Sequence, residues 1–159
     1  METNDSYVNY KQAEGLYELG FHWLCDYHYS NANREGKFEL VRNDRPYGTY
    51  YRTCYAAPTL AVAAKWFREM LRYYLSVYPE YDIDRDTVLY RYEIAFVDDY
   101  MVNLPTDGKH YETYDEALSS AISNVVELCL VEKRDNPKDF EQRLFRGMDR
   151  YMAYREKTR

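Results

Sequence analysis

Glycine and proline are scarce in this chain, at 6 and 5 of 159 residues. That scarcity excludes collagen-like and low-complexity architectures and predicts regular elements joined by short connections. Cysteine is limited to Cys25, Cys54 and Cys129, widely spaced and without a C-x-x-C pair, which predicts reduced thiols and excludes a disulfide framework. Long apolar runs are missing too: no stretch of about 18 apolar residues is present to cross a membrane. Met1 to Tyr10 also lacks the basic start and apolar core of a secretory signal, so a cytoplasmic location is expected, in a cell or an infected host. Basic charge is in deficit, with 21 Lys and Arg against 27 Asp and Glu and a formal charge of -6. This argues against a broad nucleic-acid groove and leaves room only for a local basic patch.

Tyrosine, by contrast, is abundant: 20 Tyr stand against six Phe and two Trp. A phenol ring closes a core or a contact surface while its hydroxyl reaches water or a carbonyl, so composition alone leaves both uses open. With 46% hydrophobic residues, a chain of this length can bury roughly 70% of its unfolded surface without disulfides or metal. Residues 1–159 are accordingly expected to form a single α+β domain.

Periodicity supplies the elements. Val8, Leu16 and Leu19 fit a short helix that Gly20 terminates. Trp23 to Tyr29 alternates as a half-buried strand, Asn31 to Gly36 reads as a turn, and Phe38 with Leu40 begins a second strand that stops at Asn43-Asp44-Arg45-Pro46. A third strand is expected over Tyr47 to Tyr55, where Tyr47, Thr49, Tyr51, Thr53 and Tyr55 share one face. After Pro58 the spacing becomes helical through Leu60, Ala63, Ala64, Phe67, Leu71 and Tyr74. A short extended piece at Leu75 to Tyr78 and an Asp-rich segment then lead into a strand over Val88 to Val97, with Tyr100 to Leu104 as its hairpin partner. Thr113 and Glu116 stand in a capping relation at the head of a helix, and Asn136-Pro137 opens a last helix carrying Phe140, Leu144, Phe145, Met148, Tyr151 and Met152 on one stripe. The expected architecture is an antiparallel or mixed sheet of about five strands with helices mainly on one face. Phe38, Leu40, Tyr92, Ile94 and Phe96 are expected to face inward against Leu60, Phe67, Leu71, Leu118, Ile122 and Val125.

Ala57-Pro58-Thr59 with Ala64-Lys65-Trp66-Phe67-Arg68-Glu69, followed by Tyr114-Asp115-Glu116-Ala117-Leu118, resembles a pattern in small uncharacterised proteins of Bacteroidetes phages and mobile elements. Phe67 stands where that pattern has Leu, and Asp115 where it has Glu. The resemblance implies a mobile-element origin and carries over no activity and no catalytic residue.

Several constellations invite a chemical reading. Asp82, Asp84, Asp86 and Glu93 carry the spacing of a calcium loop, but Thr87 replaces the glycine that its sharp turn needs and Glu93 falls inside a strand. His22, Cys25 and His28 are metal-competent donors, yet on a strand Cys25 points opposite to both histidines. Asp98 and Asp99 are adjacent and therefore face apart. Arg155, Lys157 and Arg159 complement the negative end of a last helix. No phosphate-loop, dinucleotide or metalloprotease motif occurs, so no catalytic residue, metal site or cofactor is assigned, and an enzyme is not favoured.

The expected role is a small non-catalytic interaction protein, an accessory factor of a phage or mobile element, that binds a protein partner through Tyr50, Tyr51, Arg52, Tyr55, Tyr90 and Arg91. The alternative is a nucleic-acid-binding module in which the same rings stack on bases and the arginines meet phosphates. That alternative requires Arg52 and Arg91 to share an accessible sheet face.

Overall fold

The computed structural model describes residues 6–30, 35–47 and 54–157, with the side chains of 44–47 excepted. The chain falls into two compact units, Met1–Ala63 and Ala64–Arg159. It is α+β, with two three-stranded antiparallel sheets among the described residues. The expectation of one sheet of about five strands is corrected accordingly. The helical stretch that follows Pro58 separates the early strands from the late ones, and each set closes on its own neighbours.

In the first unit, α1 (Tyr10–Leu19) starts at Asn9, whose side chain accepts from the Gln12 amide at 2.8 Å while the Gln12 side chain accepts from the Asn9 amide at 2.8 Å. This reciprocal exchange satisfies amides that the first turn leaves over. Gly20 ends the helix in the left-handed region, at φ 100°, where a side chain would be strained. The strands β1 (Cys25–Tyr29), β2 (Leu40–Tyr47) and β3 (Tyr55–Ala56) are ordered β2-β1-β3. The turn expected at Asn43 to Pro46 is instead part of β2. Its residues appear as an irregularity in register, since Cys25 pairs with Tyr47 and Tyr27 with Arg42, and the Asn43 amide donates to the Cys25 carbonyl at 2.9 Å. Most of the third strand expected over Tyr47 to Tyr55 lies outside the described residues. The segment before α1 is tied to the start of α2 (Leu60–Trp66) by Val8 N–H to the Pro58 carbonyl and Leu60 N–H to the Ser6 carbonyl, at 3.1 and 2.9 Å.

In the second unit a π-helical turn, Phe67–Leu71, gives way to β4 (Tyr73–Asp82) through Arg72 in the left-handed region at φ 64°. Tyr74 therefore belongs to a strand, not to the helix expected through it. The long hairpin of β4 and β5 (Thr87–Val97) is extended by β6 (Met101–Leu104), in the order β4-β5-β6. Pro79 sits inside β4 and is tolerated there for a definite reason. Its partner Tyr90 exchanges both backbone hydrogen bonds with Tyr111, so the nitrogen of Pro79 faces the outer edge where no β5 acceptor awaits it.

The helix α3 (Tyr114–Asp135) begins at Thr113, whose hydroxyl accepts from the Glu116 amide at 3.1 Å. It buries Ala117, Leu118, Ala121, Ile122, Val125 and Cys129 and lies on the sheet face that carries Tyr92 and Ile94, with the Asn124 amide donating to the Tyr92 hydroxyl at 3.0 Å. The helix α4 (Pro137–Lys157) opens on Pro137 and crosses the π-helical turn at Gly147. A β-carbon there would come within 2.6 Å of the Met70 α-carbon, so only glycine fits. The stripe expected on α4 is partly corrected: Phe140 is buried, while Phe145 and Met152 are exposed because they lie on the side away from this crossing. Phe38 and Leu40 are likewise exposed, not inward, each at 38%. Among the described residues no helix is long and apolar enough to cross a membrane.

Candidate interaction surface

Two surfaces gather aromatic and charged side chains, one in each unit. In the first unit, successive turns of α1 place Tyr10, Glu14 and Tyr17 on the side opposite the buried Gln12, Leu16 and Leu19. The Tyr10 ring stacks on Phe38 at 3.6 Å between centroids and 13° between planes. It also meets Tyr29 edge-on at 5.8 Å and Tyr55 at 5.6 Å, and Tyr17 reaches Tyr55 at 5.2 Å. Tyr29 is anchored by donating to the Val8 carbonyl at 2.5 Å. The cluster is open on one side, with Tyr17 and Phe38 more than a third exposed. The Tyr10 hydroxyl lies 3.5 Å from the Glu14 carboxylate. Both Tyr10 and Tyr55 titrate above the ordinary tyrosine value, first through partial loss of water and further through the negative charge of Glu14.

A cleft of about 190 Å³ elsewhere in this unit is lined by Tyr7, Cys25, Asp26, Tyr27, Arg42 and Thr59, among others. Tyr7 and Tyr27 meet at 4.7 Å. Burial pushes the Cys25 thiol up to about 12, so it is no nucleophile near neutral pH.

In the second unit the face of β4 and β5 opposite α3 carries a ladder of polar contacts. The Arg91 guanidinium donates from Nε to the Tyr78 hydroxyl at 2.6 Å, lies over the Tyr78 ring at 5.1 Å, and meets Glu80 at 3.0 Å and Glu93 at 3.7 Å. Tyr78 in turn donates to Glu93 at 2.7 Å. His110 reaches the second oxygen of Glu80 at 2.5 Å, and that hydrogen bond is the first cause holding the Glu80 carboxyl below its ordinary value. A shallow acidic cleft of about 460 Å³ adjoins it, between Glu80, Asp82, Asp84, Leu89 and His110.

Beneath the same sheet lies a closed counterpart. Arg143 sits over Phe96 at 4.9 Å, Tyr73 at 5.6 Å and Phe140 at 5.9 Å. It is ion-paired with Glu132, which also accepts from the Tyr73 hydroxyl at 2.8 Å. Its Nε and Nη2 find no aligned hydrogen-bond acceptor in the structure. Glu132 meets the charge as an ion pair, and ring faces cover the rest. Cys129 lies against this group, its thiol raised by burial, and nothing opens it to a substrate.

Of the residues expected to form the site, Tyr50, Tyr51 and Arg52 lie outside the described residues. Tyr55 belongs to the first-unit ring cluster. Tyr90 is half-buried, edge-on to Tyr114 at 6.2 Å, and Arg91 lies on the opposite face of β5 in the paired ladder. Tyr10, Glu14, Tyr17 and Phe38 were not expected at a site. Their signal is the seven-residue spacing of two tyrosines with a carboxylate between them on the side of α1 opposite its buried residues.

The metal-competent residues do not converge. His22 bonds the Gly20 carbonyl at 2.9 Å, Cys25 donates to the Trp23 carbonyl at 3.4 Å, and His28 pairs with Asn43. Asp82 accepts the amides of Asp84 and Arg85 as a hairpin turn does. Among the described residues no three His, Cys, Asp or Glu side chains are grouped as a metal site requires. Comparison with protein-family models, curated proteins and solved structures finds no match.

Proposed function

We propose that this chain is a small non-catalytic interaction protein, an accessory factor of a phage or mobile element, and that it binds a protein partner through the ring cluster of its first unit. The observation that carries this reading is the opening of that cluster: five rings from α1, β1, β3 and the segment before β2 meet, and Tyr17 and Phe38 remain over a third exposed at its rim. Aromatic side chains bury large contact area at small entropic cost, which is why they anchor interfaces. Direct nucleic-acid binding has less support, because Arg91 is matched by Glu80, Glu93 and Tyr78 and a guanidinium so committed offers little to a phosphate.

A photo-crosslinking amino acid at Tyr17, compared with the same group at exposed Tyr81, tests the reading in extracts of source cells. A discrete protein adduct from position 17 and not from 81 is expected. Identical patterns from the two positions, or none from 17, overturn it.

A further inference from the structure

The second unit shows what this chain does with a ring beside a carboxylate. Arg143 covers Tyr73, Phe96 and Phe140 next to Glu132, and Arg91 covers Tyr78 next to Glu80 and Glu93. In each case a guanidinium lies over a ring face with a carboxylate as its ion-pair partner. The first unit repeats two of these three parts: the rings of Tyr10, Tyr17, Phe38 and Tyr55, and the Glu14 carboxylate 3.5 Å from the Tyr10 hydroxyl. Among the described residues the third part is not found there: every arginine-over-ring contact lies in the second unit. Lys11 stands about 100° round α1 from Tyr10, and among the described residues it forms no ion pair with Glu14. Lys37, next to Phe38, is paired with Glu35 at 3.5 Å.

We infer that the open ring cluster of the first unit takes an arginine side chain from a basic, extended segment of the partner protein. This inference rests on the interaction reading above and adds the chemistry of the partner. The guanidinium lies against the exposed ring of Tyr17, and Glu14, one turn earlier on α1, accepts from its edge. The planar, weakly hydrated guanidinium suits the site better than a lysine ammonium, because it can stack and donate at once.

The test is an NMR titration of the full-length chain with a blocked Gly-Arg-Gly-Arg-Gly peptide at up to millimolar concentration, beside the lysine version and the neutral isosteric citrulline version. The expected result is saturable shifts centred on Tyr10, Tyr17, Phe38 and Tyr55. Affinity should fall at least tenfold with citrulline, severalfold in Glu14→Gln, and further as salt is raised. Equal binding of arginine and citrulline peptides, shifts centred elsewhere, or no shifts at millimolar peptide overturns the inference. Equal binding that Tyr17→Ser abolishes for both peptides overturns only the arginine preference and leaves the interaction surface standing. Loss of the position-17 adduct with arginine binding intact overturns the interaction role and leaves the arginine site standing.

Discussion

In the first unit the rings of Tyr10, Tyr17, Tyr29, Phe38 and Tyr55 meet one another and stay open at the rim, whereas in the second the rings of Tyr73, Phe96 and Phe140 close around the guanidinium of Arg143. The second arrangement holds its own cation. A charge, its counter-charge and three ring faces meet there, and the side chains of Arg143 and Glu132 are only 16% and 22% exposed. Among the described residues no arginine lies over the rings of the first, and Tyr17 and Phe38 are more than a third exposed. One residue type thus packs around a built-in cation in the second unit and, in the first, packs on other rings with an exposed rim.

The largest expected effect concerns the closed arrangement. Gly147→Ala drives a β-carbon into the Met70 backbone, which has no rotamer to yield with. A loss of about 3 kcal/mol in urea unfolding is expected, at the upper end of overpacking costs. The ring resonances of Tyr10 and Tyr17 should keep their positions below the transition. If Gly147→Ala is neutral, α4 does not cross the π-helical turn as closely as described, and the closed half of the comparison fails.

Next in size is Arg143→Ala, which strips the counter-charge from Glu132 and leaves three ring faces uncovered. A cost of about 2–3 kcal/mol is expected, below that of a fully buried pair because water still reaches both partners. The double variant with Glu132→Gln should lose less than the sum of the two single changes. Tyr17→Ser in the open cluster should cost under about 0.5 kcal/mol, as surface changes do. Equal losses for Arg143→Ala and Tyr17→Ser would erase the distinction between closed and open rings.

These elements were unequally visible in the amino-acid order. The hairpin of β5 with β6, the Thr113 cap, the Pro137 start and the Gly20 stop follow from local chemistry that neighbouring residues carry themselves. Pro79 hid the length of β4, since a proline breaks a central strand and is tolerated only where its nitrogen faces an open edge, a fact of sheet order. The turn residues of 43–46 were absorbed as a register irregularity because β1 offers Asn43 a carbonyl and an imidazole. Alternation put Phe38 and Leu40 on one face but carries no information on whether that face is covered, and the helical stripe of α4 misplaced Phe145 and Met152 for the same reason. Tyr55 was named from the sequence and lies in the ring cluster. Tyr10 and Tyr17 were equally available from their spacing on α1, but what brings them to Tyr55 and Phe38 is tertiary packing.

The two units are alike in their thiols, and this limits the comparison to the rings. Cys25 is 5% exposed and Cys129 fully buried, with burial as the first cause raising each thiol. For Cys25 the folded value of about 12 stands above the ordinary 9.0. The unfolded chain therefore ionises first: the stabilisation is fully present below pH 9 and drains away as pH climbs toward 12. Over that window the unfolding free energy should fall by up to about 1.4 kcal/mol per pH unit through this thiol. Cys25→Ala should flatten the slope by that part, whatever its effect on absolute stability. An unchanged slope would show that water reaches Cys25.

The smallest expected effect separates open charge from closed charge within one sheet. Arg91 has as many partners as Arg143, namely Glu80, Glu93, the Tyr78 hydroxyl and the Tyr78 ring. Its side chain is 41% exposed, however, against 16% for Arg143, and water competes for every contact it makes. Pairing in high dielectric gains little over hydration and also fixes long side chains, so it contributes almost nothing net. Arg91→Gln should therefore leave the urea midpoint and slope within error of the parent chain at physiological salt, although the same count of contacts is lost. A midpoint shift as large as that of Arg143→Ala would mean that the outer face of β4 and β5 is covered in solution. Both arginines would then be sealed, and the contrast between open and closed charge across this sheet would fail.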